Sequence, residues 1–412
     1  MKTDWPTVKL SDVCTFVRGP FGGSLKKSTF VRKGFAVYEQ QHAIYDQFHD
    51  IRYFIDEAKF KAMQRFELRA DDLVMSCSGT MGRVAIVPKD VVPGIINQAL
   101  LKLTPNAQVI NKFLKLWMES GAFQDSLKEY SGGAAIQNVA SVKVLKEIKM
   151  PLPSLQEQKR IVTILERAFE GIATAKATVE KNIQNALAIF ESQLQYVFIQ
   201  RGRGWKQKTL EEIAMSFGRG KSKHRPRNAP HLYGGQYPFV QTGDVRNARH
   251  IITEYSQTYS AAGLAQSKLW PKGTICITIA ANIAETAILG FDACFPDSVI
   301  GIVANPKEAD VGFIEYLLQS FKVRIQALGK GSAQANINMG TFENERFPFP
   351  SIKEQQDVVA ELDELSRETQ RLGSIYERKL AALEALKKSL LHLAFSGELT
   401  AKKVDTSIEV AA

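Results

Sequence analysis

The stretch PLPSLQEQKRIV begins at Pro151, and a second version of it, PFPSIKEQQDVV, begins at Pro348, 197 residues further along the chain. The copies share two prolines, a serine, a glutamate and a glutamine at the same places. The residue before a proline favours an extended conformation, and Ser154 or Ser351 can cap a helix that carries the glutamate at its third position. Each copy therefore predicts the end of a β-rich domain and the start of a helix.

The duplication extends well beyond this motif. The segment WPTVKLSDVCTFVRG near the amino terminus is echoed by WKQKTLEEIAMSFGRG in the middle of the chain. Further on, Leu194 and Phe198 correspond to Leu391 and Phe395, again at a spacing of 197 residues. A repeat of about 200 residues is too long for a solenoid unit and indicates a duplicated domain with its connector.

Each repeat contains two kinds of pattern. Short β-rich runs such as DLVMSCS and GTICITIA alternate with short helical runs such as NKFLKLWMES and VGFIEYLLQS, which predicts a mixed α/β domain. After each domain, apolar residues recur at steps of three and four over about 40 residues without a proline, which predicts a helix of roughly 60 Å. Two such helices cover their apolar stripes most simply as a coiled coil, antiparallel if the repeats are related by a pseudo-twofold axis.

The predicted fold class is α+β, with two mixed α/β domains in tandem pseudo-twofold repeat, separated by two long helices that form an antiparallel coiled coil. The predicted segments are residues 1–150 (first domain), 151–200 (first long helix), 201–347 (second domain), 348–396 (second long helix) and 397–412 (carboxyl-terminal tail). Apolar residues beside the stripe should stay partly uncovered and mark a partner interface; they are Val162, Ile164, Ile189 and Leu386.

The net charge of +10 is unevenly distributed. Residues 1–150 hold 21 basic and 15 acidic side chains, and residues 201–347 hold 18 and 12, so each segment carries +6. The two predicted helical segments are neutral or slightly acidic. Two basic domains joined by helices without excess positive charge indicate a protein that binds a polyanion at two places.

Composition narrows the class of protein. Hydrophobic residues make up 45% of the chain and charged residues 23%, as in an ordinary soluble globular protein. The four cysteines form no C-x-x-C pair, which fits a reduced cytoplasm, and Cys77 and Cys276 lie in apolar runs where we expect them buried. The histidines show no metal-ligand spacing, the amino terminus shows no signal peptide, and no apolar run is long enough to cross a membrane. The expected location is the cytoplasm.

Motifs for catalysis are weak. GRGKS at Gly218–Ser222 ends like a phosphate-binding loop, but the required earlier glycine is Met215, and the preceding LEEIAMS is predicted to be helical rather than a strand. NAPH at Asn228–His231 lacks the second proline and the aromatic residue of an adenine methyltransferase site. No nucleophile and base pair stands out, so we expect no catalytic, cofactor-binding or metal site in this chain.

Nearly all of the chain resembles the specificity subunit of type I restriction-modification systems. The resemblance is carried by GGAAIQNV…IKMPLPSLQEQKRIVTIL, by GSAQANINMGTFENERFPFPSIKEQQDVVAEL and by the ending SLLHLAFSGELT. The first copy of that ending, LQYVFIQRGRGW, lacks the Ser-Gly-Glu-Leu-Thr string. The resemblance implies two target-recognition domains that each read one half of a bipartite double-stranded DNA site, and helices that set the spacer and dock methyltransferase subunits.

The same resemblance implies partners and cofactors outside the chain. Two modification subunits would bring S-adenosylmethionine, and separate restriction (motor-nuclease) subunits would bring ATP and Mg. The chain itself would be a non-catalytic guide. The alternative is a multidomain DNA methyltransferase or nuclease with its own activity. Against it, a recognition domain and a long helix account for all of each repeat, so no segment remains for a catalytic domain. A third hypothesis is a structural DNA bridge without sequence discrimination.

Candidate DNA contacts follow from residue type and place. RGKSKHRPR and RGPFGGSLKKS occupy matching positions in the two repeats and suit phosphates or a guanine edge, or else are solvated basic loops. QTGDVRN and the run from Glu39 to His42 hold groups for base edges, or else turn residues. The candidate DNA-binding residues are Arg18, Lys26, Lys27, Gln40, Gln41, Arg83, Arg219, Lys221, Lys223, Arg225, Arg227, Gln241, Thr242, Arg246 and Asn247. Four further residues are expected to cap backbone groups near the junctions with the long helices, with base contact as the alternative: Gln137, Asn138, Asn336 and Asn338.

Overall fold

The structure, a computed structural model, describes residues 5–129, 142–223, 226, 228–280, 283–329 and 337–401. The chain divides into two compact units. Unit 1 comprises residues 1–179 and 378–412, and unit 2 comprises residues 180–377. Each unit therefore contains one mixed domain and one end of each long helix.

The elements of unit 1 alternate between short strands and short helices. In chain order they are β1 (Thr7–Lys9), α1 (Leu10–Val13), β2 (Cys14–Arg18), β3 (Phe35–Tyr38), α2 (Gln40–Ile44), β4 (Tyr53–Ile55), α3 (Glu57–Ala62), β5 (Glu67–Leu68), β6 (Leu73–Ser76), β7 (Val84–Ile86), β8 (Gly94–Ile96), β9 (Leu100–Pro105), α4 (Asn111–Glu119), α5 (Gly121–Glu129), α6 (Val142–Glu147), β10 (Lys149–Pro151) and the long helix α7 (Leu155–Gln195), which continues into unit 2.

The order in unit 2 is similar but not identical, since no α-helix separates its first two strands. Its elements are β11 (Lys206–Lys208), β12 (Ala214–Arg219), β13 (Tyr233–Phe239), α8 (Thr242–Asn247), β14 (Ile251–Ile252), β15 (Gln257–Tyr259), α9 (Ala261–Ala265), β16 (Ile275–Thr278), β17 (Thr286–Leu289), β18 (Val299–Ala304), α10 (Val311–Ser320), α11 (Lys322–Gly329), α12 (Met339–Glu343), β19 (Phe347–Phe349) and the long helix α13 (Ile352–Ser396), which returns to unit 1.

The main sheets of the two units match. In unit 1 the strand order is β2-β9-β6-β7, and in unit 2 it is β12-β18-β16-β17 with β14 added at the edge. Unit 1 has a second sheet, β4-β3-β8-β5, and the counterpart in unit 2 is the pair β13-β15. The predicted mixed α/β domains in tandem are confirmed.

The proline motif follows a strand that closes each domain. Strand β10 pairs antiparallel with β1, and β19 pairs antiparallel with β11, so the last strand of each domain returns to its first. The hydroxyl of Ser154 then accepts a hydrogen bond from the backbone N–H of Glu157, and Ser351 accepts one from Glu354, each at 3.3 Å. The predicted serine caps are confirmed at both helices.

The long helices have 41 and 45 residues, close to the predicted length. Within unit 1, Lys176 pairs with Glu384, and the guanidinium of Arg160 donates to the carbonyl of Thr400 at 3.3 Å. Residues further along α7 thus contact residues at earlier positions in and after α13, so the two helices run antiparallel within unit 1. The same holds within unit 2, where Gln193 donates to Glu361 at 2.7 Å and Arg201 forms an ion pair with both Glu361 and Glu354.

Equivalent aromatic pairs fasten the helix ends to the domains. In unit 2 the ring of Phe198 packs edge-on against Phe313 of α10 at 5.2 Å. In unit 1 Phe395 packs in the same way against Phe113 of α4 at 5.3 Å. Phe198 and Phe395, which are 197 residues apart in the sequence, therefore make the same packing contact in their respective units.

Three local features differ from expectation. The LEEIAMS segment is not helical, because it forms a turn that leads into β12 at Ala214. Val162 is buried in the core of unit 1, whereas Ile189 and Leu386 are 55% and 47% exposed as predicted. The departure in the first helix ending is a π-helical turn at Tyr196–Gln200, followed by a 3-10 turn at Arg201–Gly204.

Candidate nucleic-acid interface

Two short helices, α2 and α8, occupy equivalent places in the two units. Helix α2 packs on β6 and β7, and α8 packs on the corresponding strands β16 and β17. Each begins with a local side-chain cap: the N–H of Glu39 donates to Nδ1 of His42 at 2.9 Å, and the N–H of Gln241 donates to the carboxylate of Asp244 at 2.7 Å. The same scaffold therefore carries different side chains in each unit.

Helix α8 brings four predicted residues together. Arg246 and Asn247 are exposed, Gln241 and Thr242 are half-buried, and Nε of Arg246 donates to Oδ1 of Asn247 at 3.3 Å. The amide of Gln241 donates to the side chain of Gln257 at 2.7 Å. An arginine next to an asparagine offers the donors and the acceptor that base edges in the major groove require.

A cleft of about 590 Å³ borders the carboxyl end of α8. Its wall includes Asn247, Arg249 and the partly exposed Ile251 and Tyr255. Ile251 and Tyr255 had no signal in the sequence, because their exposure depends on how the edge strand β14 meets the sheet. They add apolar surface beside the polar groups of α8.

Helix α2 presents Gln40 and Gln41 half-buried at its first turn. The amide of Gln41 donates to the carbonyl of Asp50 at 3.3 Å, and Oε1 of Gln40 has no hydrogen-bond partner among the described groups. His42, by contrast, is fully buried and lies 3.0 Å from the carbonyl of Asp50 through Nε2. Of the two alternatives for His42, a base contact or a turn residue, its burial and hydrogen bonds favour the second, because its ring fixes the turn behind α2.

An arginine-glycine pair ends the first long strand of each main sheet. The glycines are required by a close approach of backbone: a Cβ on Gly19 would lie 1.8 Å from the carbonyl oxygen of Asn97, and one on Gly220 would lie 2.2 Å from that of Phe295. This steric demand explains why the Arg-Gly pair recurs in both copies. It also fixes the direction in which the chain leaves the sheet.

The arginines of these pairs are partly engaged by the protein. Nε and Nη2 of Arg219 donate to the carbonyl of Asp297 at 2.8 and 2.5 Å. Arg18 is half-buried beside the thiol of Cys77, where burial raises the pKa of the thiol to about 11 against the opposing effect of the arginine charge. Both arginines therefore have a structural role beside any contact with DNA.

The basic segment after Arg219 packs on the loop before β16. Lys221 and Lys223 are exposed, and the carbonyl of Lys221 accepts a hydrogen bond from Ser267 at 2.9 Å. Nζ of Lys268 lies 3.4 Å from the ring centroid of Trp270, and burial together with the charge of Lys221 lowers the pKa of Lys268. Lys268 thus joins the cationic cluster, although no sequence pattern pointed to it. Arg225 and Arg227 lie outside the described residues.

The remaining candidates lie in loops of unit 1. Lys26 and Lys27 are exposed at a 3-10 turn, and Arg83 is exposed directly before β7. Phe21 of the same basic loop is 90% exposed, an aromatic side chain that sequence reasoning passed over. Base contact by these residues stays a prediction.

The predicted capping role is confirmed for Asn338, whose side chain accepts a hydrogen bond from the N–H of Thr341 at 3.2 Å. Gln137, Asn138 and Asn336 lie outside the described residues. Cys77 and Cys276 are buried, as expected, and burial raises the pKa of the Cys276 thiol. Within the described ranges, no group of three or more histidine, cysteine or acidic side chains is placed to hold a metal ion. The helices of these ranges are all too short or too polar to span a bilayer.

Comparisons with known proteins agree with this architecture. The MjaVIII specificity subunit of a type I restriction enzyme from Methanocaldococcus jannaschii is 22% identical over 432 residues, covering 98% of this chain and 94% of that protein. The StySPI specificity subunit from Salmonella potsdam is 20% identical, covering 97% and 90%.

Solved structures show the same fold. A chain from a study of complex assembly and conformational transition of the type I R-M system superposes with a TM-score of 0.79 at 19% identity, covering 97% of this chain and all of that one. The HsdS subunit from Thermoanaerobacter tengcongensis gives a TM-score of 0.60 at 20% identity, covering 96% and 97%.

The family model described as type I restriction modification DNA specificity domain matches twice in tandem, at residues 2–185 and 202–378. Each match spans one mixed domain and most of the long helix that follows it. The chain therefore belongs to the family of type I restriction-modification DNA specificity subunits.

Proposed function

We propose that this specificity subunit reads the two halves of a bipartite double-stranded DNA target through α2 and α8. The observation that carries the proposal is that the two helices are equivalent, since each lies on the corresponding pair of strands in its own unit. Their side chains differ: α2 presents Gln40 and Gln41, and α8 presents Thr242, Arg246 and Asn247. A shared scaffold with different polar side chains suits two half-sites of different sequence.

The basic loops supply the sequence-independent part of binding. In unit 2, Lys221 lies close to Lys268, and the exposed Lys223 follows two residues later; Lys26 and Lys27 lie in the matching loop of unit 1. Lysines of this kind contact phosphates and release counterions, which gives affinity and register without reading bases. Catalysis is not the task of this family, whose matched domain is one of DNA specificity.

The long helices set the spacer between half-sites and dock two methyltransferase subunits. Support for docking comes from apolar side chains left exposed on the helices: Leu187 is 61%, Ile189 is 55% and Leu386 is 47% exposed. Exposed apolar surface of this kind marks interfaces. The docked modification subunits supply S-adenosylmethionine, and restriction subunits supply the ATP- and Mg-dependent nuclease.

Methylation mapping in cells that carry this subunit and its partners tests the proposal. The wild-type chain should give one bipartite motif. Arg246→Ala with Asn247→Ala should change or relax one half-site only, and Gln40→Ala with Gln41→Ala should change only the other, so each pair is the control for its counterpart. If both pairs leave the motif unchanged, the reading surfaces lie elsewhere.

The rival functions have their own tests. Incubation of the purified chain with labelled S-adenosylmethionine and DNA should give no methylated DNA, whereas methylation by the chain alone would favour its own catalysis. Competition with random duplex should displace the specific duplex poorly, whereas equal competition would favour a structural DNA bridge.

A further inference from the structure

We propose that Glu315 is a positioning residue for the reading of the half-site that unit 2 contacts, called the second half-site below. Through His250, it holds the recognition helix α8 in place. This inference rests on the proposed role of α8 in reading DNA. Glu315 itself is too far inside the fold to touch DNA, since its side chain is completely buried.

The buried carboxylate of Glu315 has three partners. Nδ1 of His250 lies 2.7 Å from Oε2, while Oε1 accepts hydrogen bonds from the hydroxyl of Thr286 at 2.9 Å and the amide of Gln319 at 2.6 Å. A buried carboxylate is costly unless it is paired and hydrogen-bonded, so removal of one partner disturbs the others. His250 lies three residues beyond the end of α8, so its contact with Glu315 holds the segment that directly follows this helix.

The segment after α8 is also fastened to the long helix α13 within unit 2. The His250 ring stacks on Tyr316 at 4.6 Å, and the Tyr316 hydroxyl donates to Asp363 at 2.7 Å. Burial, followed by the neighbouring Asp363, raises the pKa of Tyr316 above its usual range, so it remains a hydrogen-bond donor. A link therefore runs from α13 through α10 to the carboxyl end of α8.

Unit 1 makes the corresponding link with the charges reversed. Lys115 occupies the place in α4 that Glu315 occupies in α10, and its ammonium lies 2.5 Å from the carboxylate of Asp46, two residues beyond α2. The unit 1 pair is more exposed than its counterpart, since the Asp46 side chain is 52% exposed and that of Glu315 is fully buried, but the two contacts lie at corresponding places. In both units the contact joins the helix behind the sheet to the end of the short recognition helix.

The strength of the link through His250 depends on pH. Burial lowers the pKa of His250, but the hydrogen bond and charge of Glu315, followed by the charges of Asp363 and Asp310, raise it further, and the net pKa lies above the usual value near 6.5. The link is therefore strongest below that value and weakens as the pH rises through the raised pKa in the folded state.

The experiment uses the complete complex with its modification subunits and three duplexes defined by methylation mapping: the full site and a site with a mismatch in either half. Discrimination against the mismatch in the second half-site should fall about tenfold in Glu315→Gln, as expected for loss of about one charged hydrogen bond. Discrimination at the first half-site should not change. In the wild type, discrimination against the mismatch in the second half-site should fall as the pH rises from 6 to 8.5. Glu315→Gln should remove this pH dependence.

A rescue variant separates positioning from misfolding. Glu315→Lys with His250→Asp recreates the polarity of unit 1 and should restore discrimination at the second half-site without its pH dependence. Equal losses at both half-sites in Glu315→Gln, or no change in the pH profile, would overturn the proposal. If Arg246→Ala with Asn247→Ala leaves the second half-site unchanged, the assignment of α8 itself fails, and that outcome is separate from any result at Glu315.

Discussion

Gln158 and Gln355 make the same three hydrogen bonds, each within its own unit. Both are fully buried and both are the final glutamine of the repeated proline motif. Oε1 of Gln158 accepts from the N–H of Ile110 at 2.9 Å, and Nε2 donates to the carbonyls of Gln108 at 3.0 Å and Pro153 at 2.9 Å.

In unit 2, Oε1 of Gln355 accepts from the N–H of Asp310 at 2.9 Å, and Nε2 donates to the carbonyls of Glu308 at 3.2 Å and Pro350 at 3.0 Å. In both units the glutamine ties the first turn of the long helix to the loop that precedes α4 or α10. Only an amide offers an acceptor and two donors in this geometry, which explains why the motif ends in glutamine.

Replacement of Gln355 by methionine should destabilise unit 2 by about 3 kcal/mol, because it leaves one N–H and two carbonyls buried without partners at a similar side-chain volume. The melting temperature should fall by about 6–12 °C for a unit of this size. Gln356→Met, at the exposed neighbouring position of the same helix, is the control and should change little. Thermal unfolding followed by circular dichroism measures both, and equal melting temperatures would show that the three bonds contribute nothing.

Phe198→Ala should destabilise unit 2 by about 3–5 kcal/mol, because the ring is buried against Phe313. Tyr196→Ala, only two residues away but 51% exposed, is the matched control. Hydrogen exchange should show faster opening of α10 in the first variant and unchanged exchange in unit 1. Equal effects of the two substitutions would contradict the proposed anchoring role.

DNA binding should weaken steeply with salt. If the two +6 segments neutralise roughly six to ten phosphates, affinity should fall about 10³- to 10⁵-fold between 50 and 200 mM salt. Lys221→Gln with Lys223→Gln should flatten the slope of log K against log salt by about 2, since each lost phosphate contact removes about 0.9. Lys307→Gln, an exposed lysine beside the Gln355 junction, should leave the slope unchanged, and an unchanged slope in the double variant would remove this segment from the interface.

Insertion of seven residues after Val179 in α7 and after Glu377 in α13 tests whether the helices set the spacer. Seven residues keep the heptad seam and add about 10 Å to each helix, about three base pairs at 3.4 Å each. Three base pairs also rotate the duplex by roughly 100°. The variant should therefore lose its original site and methylate one with a spacer changed by a few base pairs and unchanged half-sites.

The same insertion in α7 alone is the control. It breaks the pairing of the helices and should abolish methylation rather than shift the spacer. Methylation motifs from the two strains decide the matter. Altered half-sites with an unaltered spacer would mean that the helices do not set it.

The sequence by itself determined the tandem repeat, the two long helices and the serine caps. These features depend on local periodicity or on a comparison of one part of the chain with another, and both are visible without coordinates. The duplicated Phe198 and Phe395 could even be matched in advance, although their partners could not. The bulk charge likewise identified the two basic domains before any side chain was placed.

The tertiary structure alone decided which polar residues are buried and which meet. His42 and Gln158 look like ordinary polar residues in the sequence, yet both are fully buried and hold backbone groups in place. Lys268 joins Lys221, and Glu315 meets His250, across separations of 47 and 65 residues. Such pairings depend on how strands and helices stack in three dimensions, and neither residue type nor spacing along the chain encodes them.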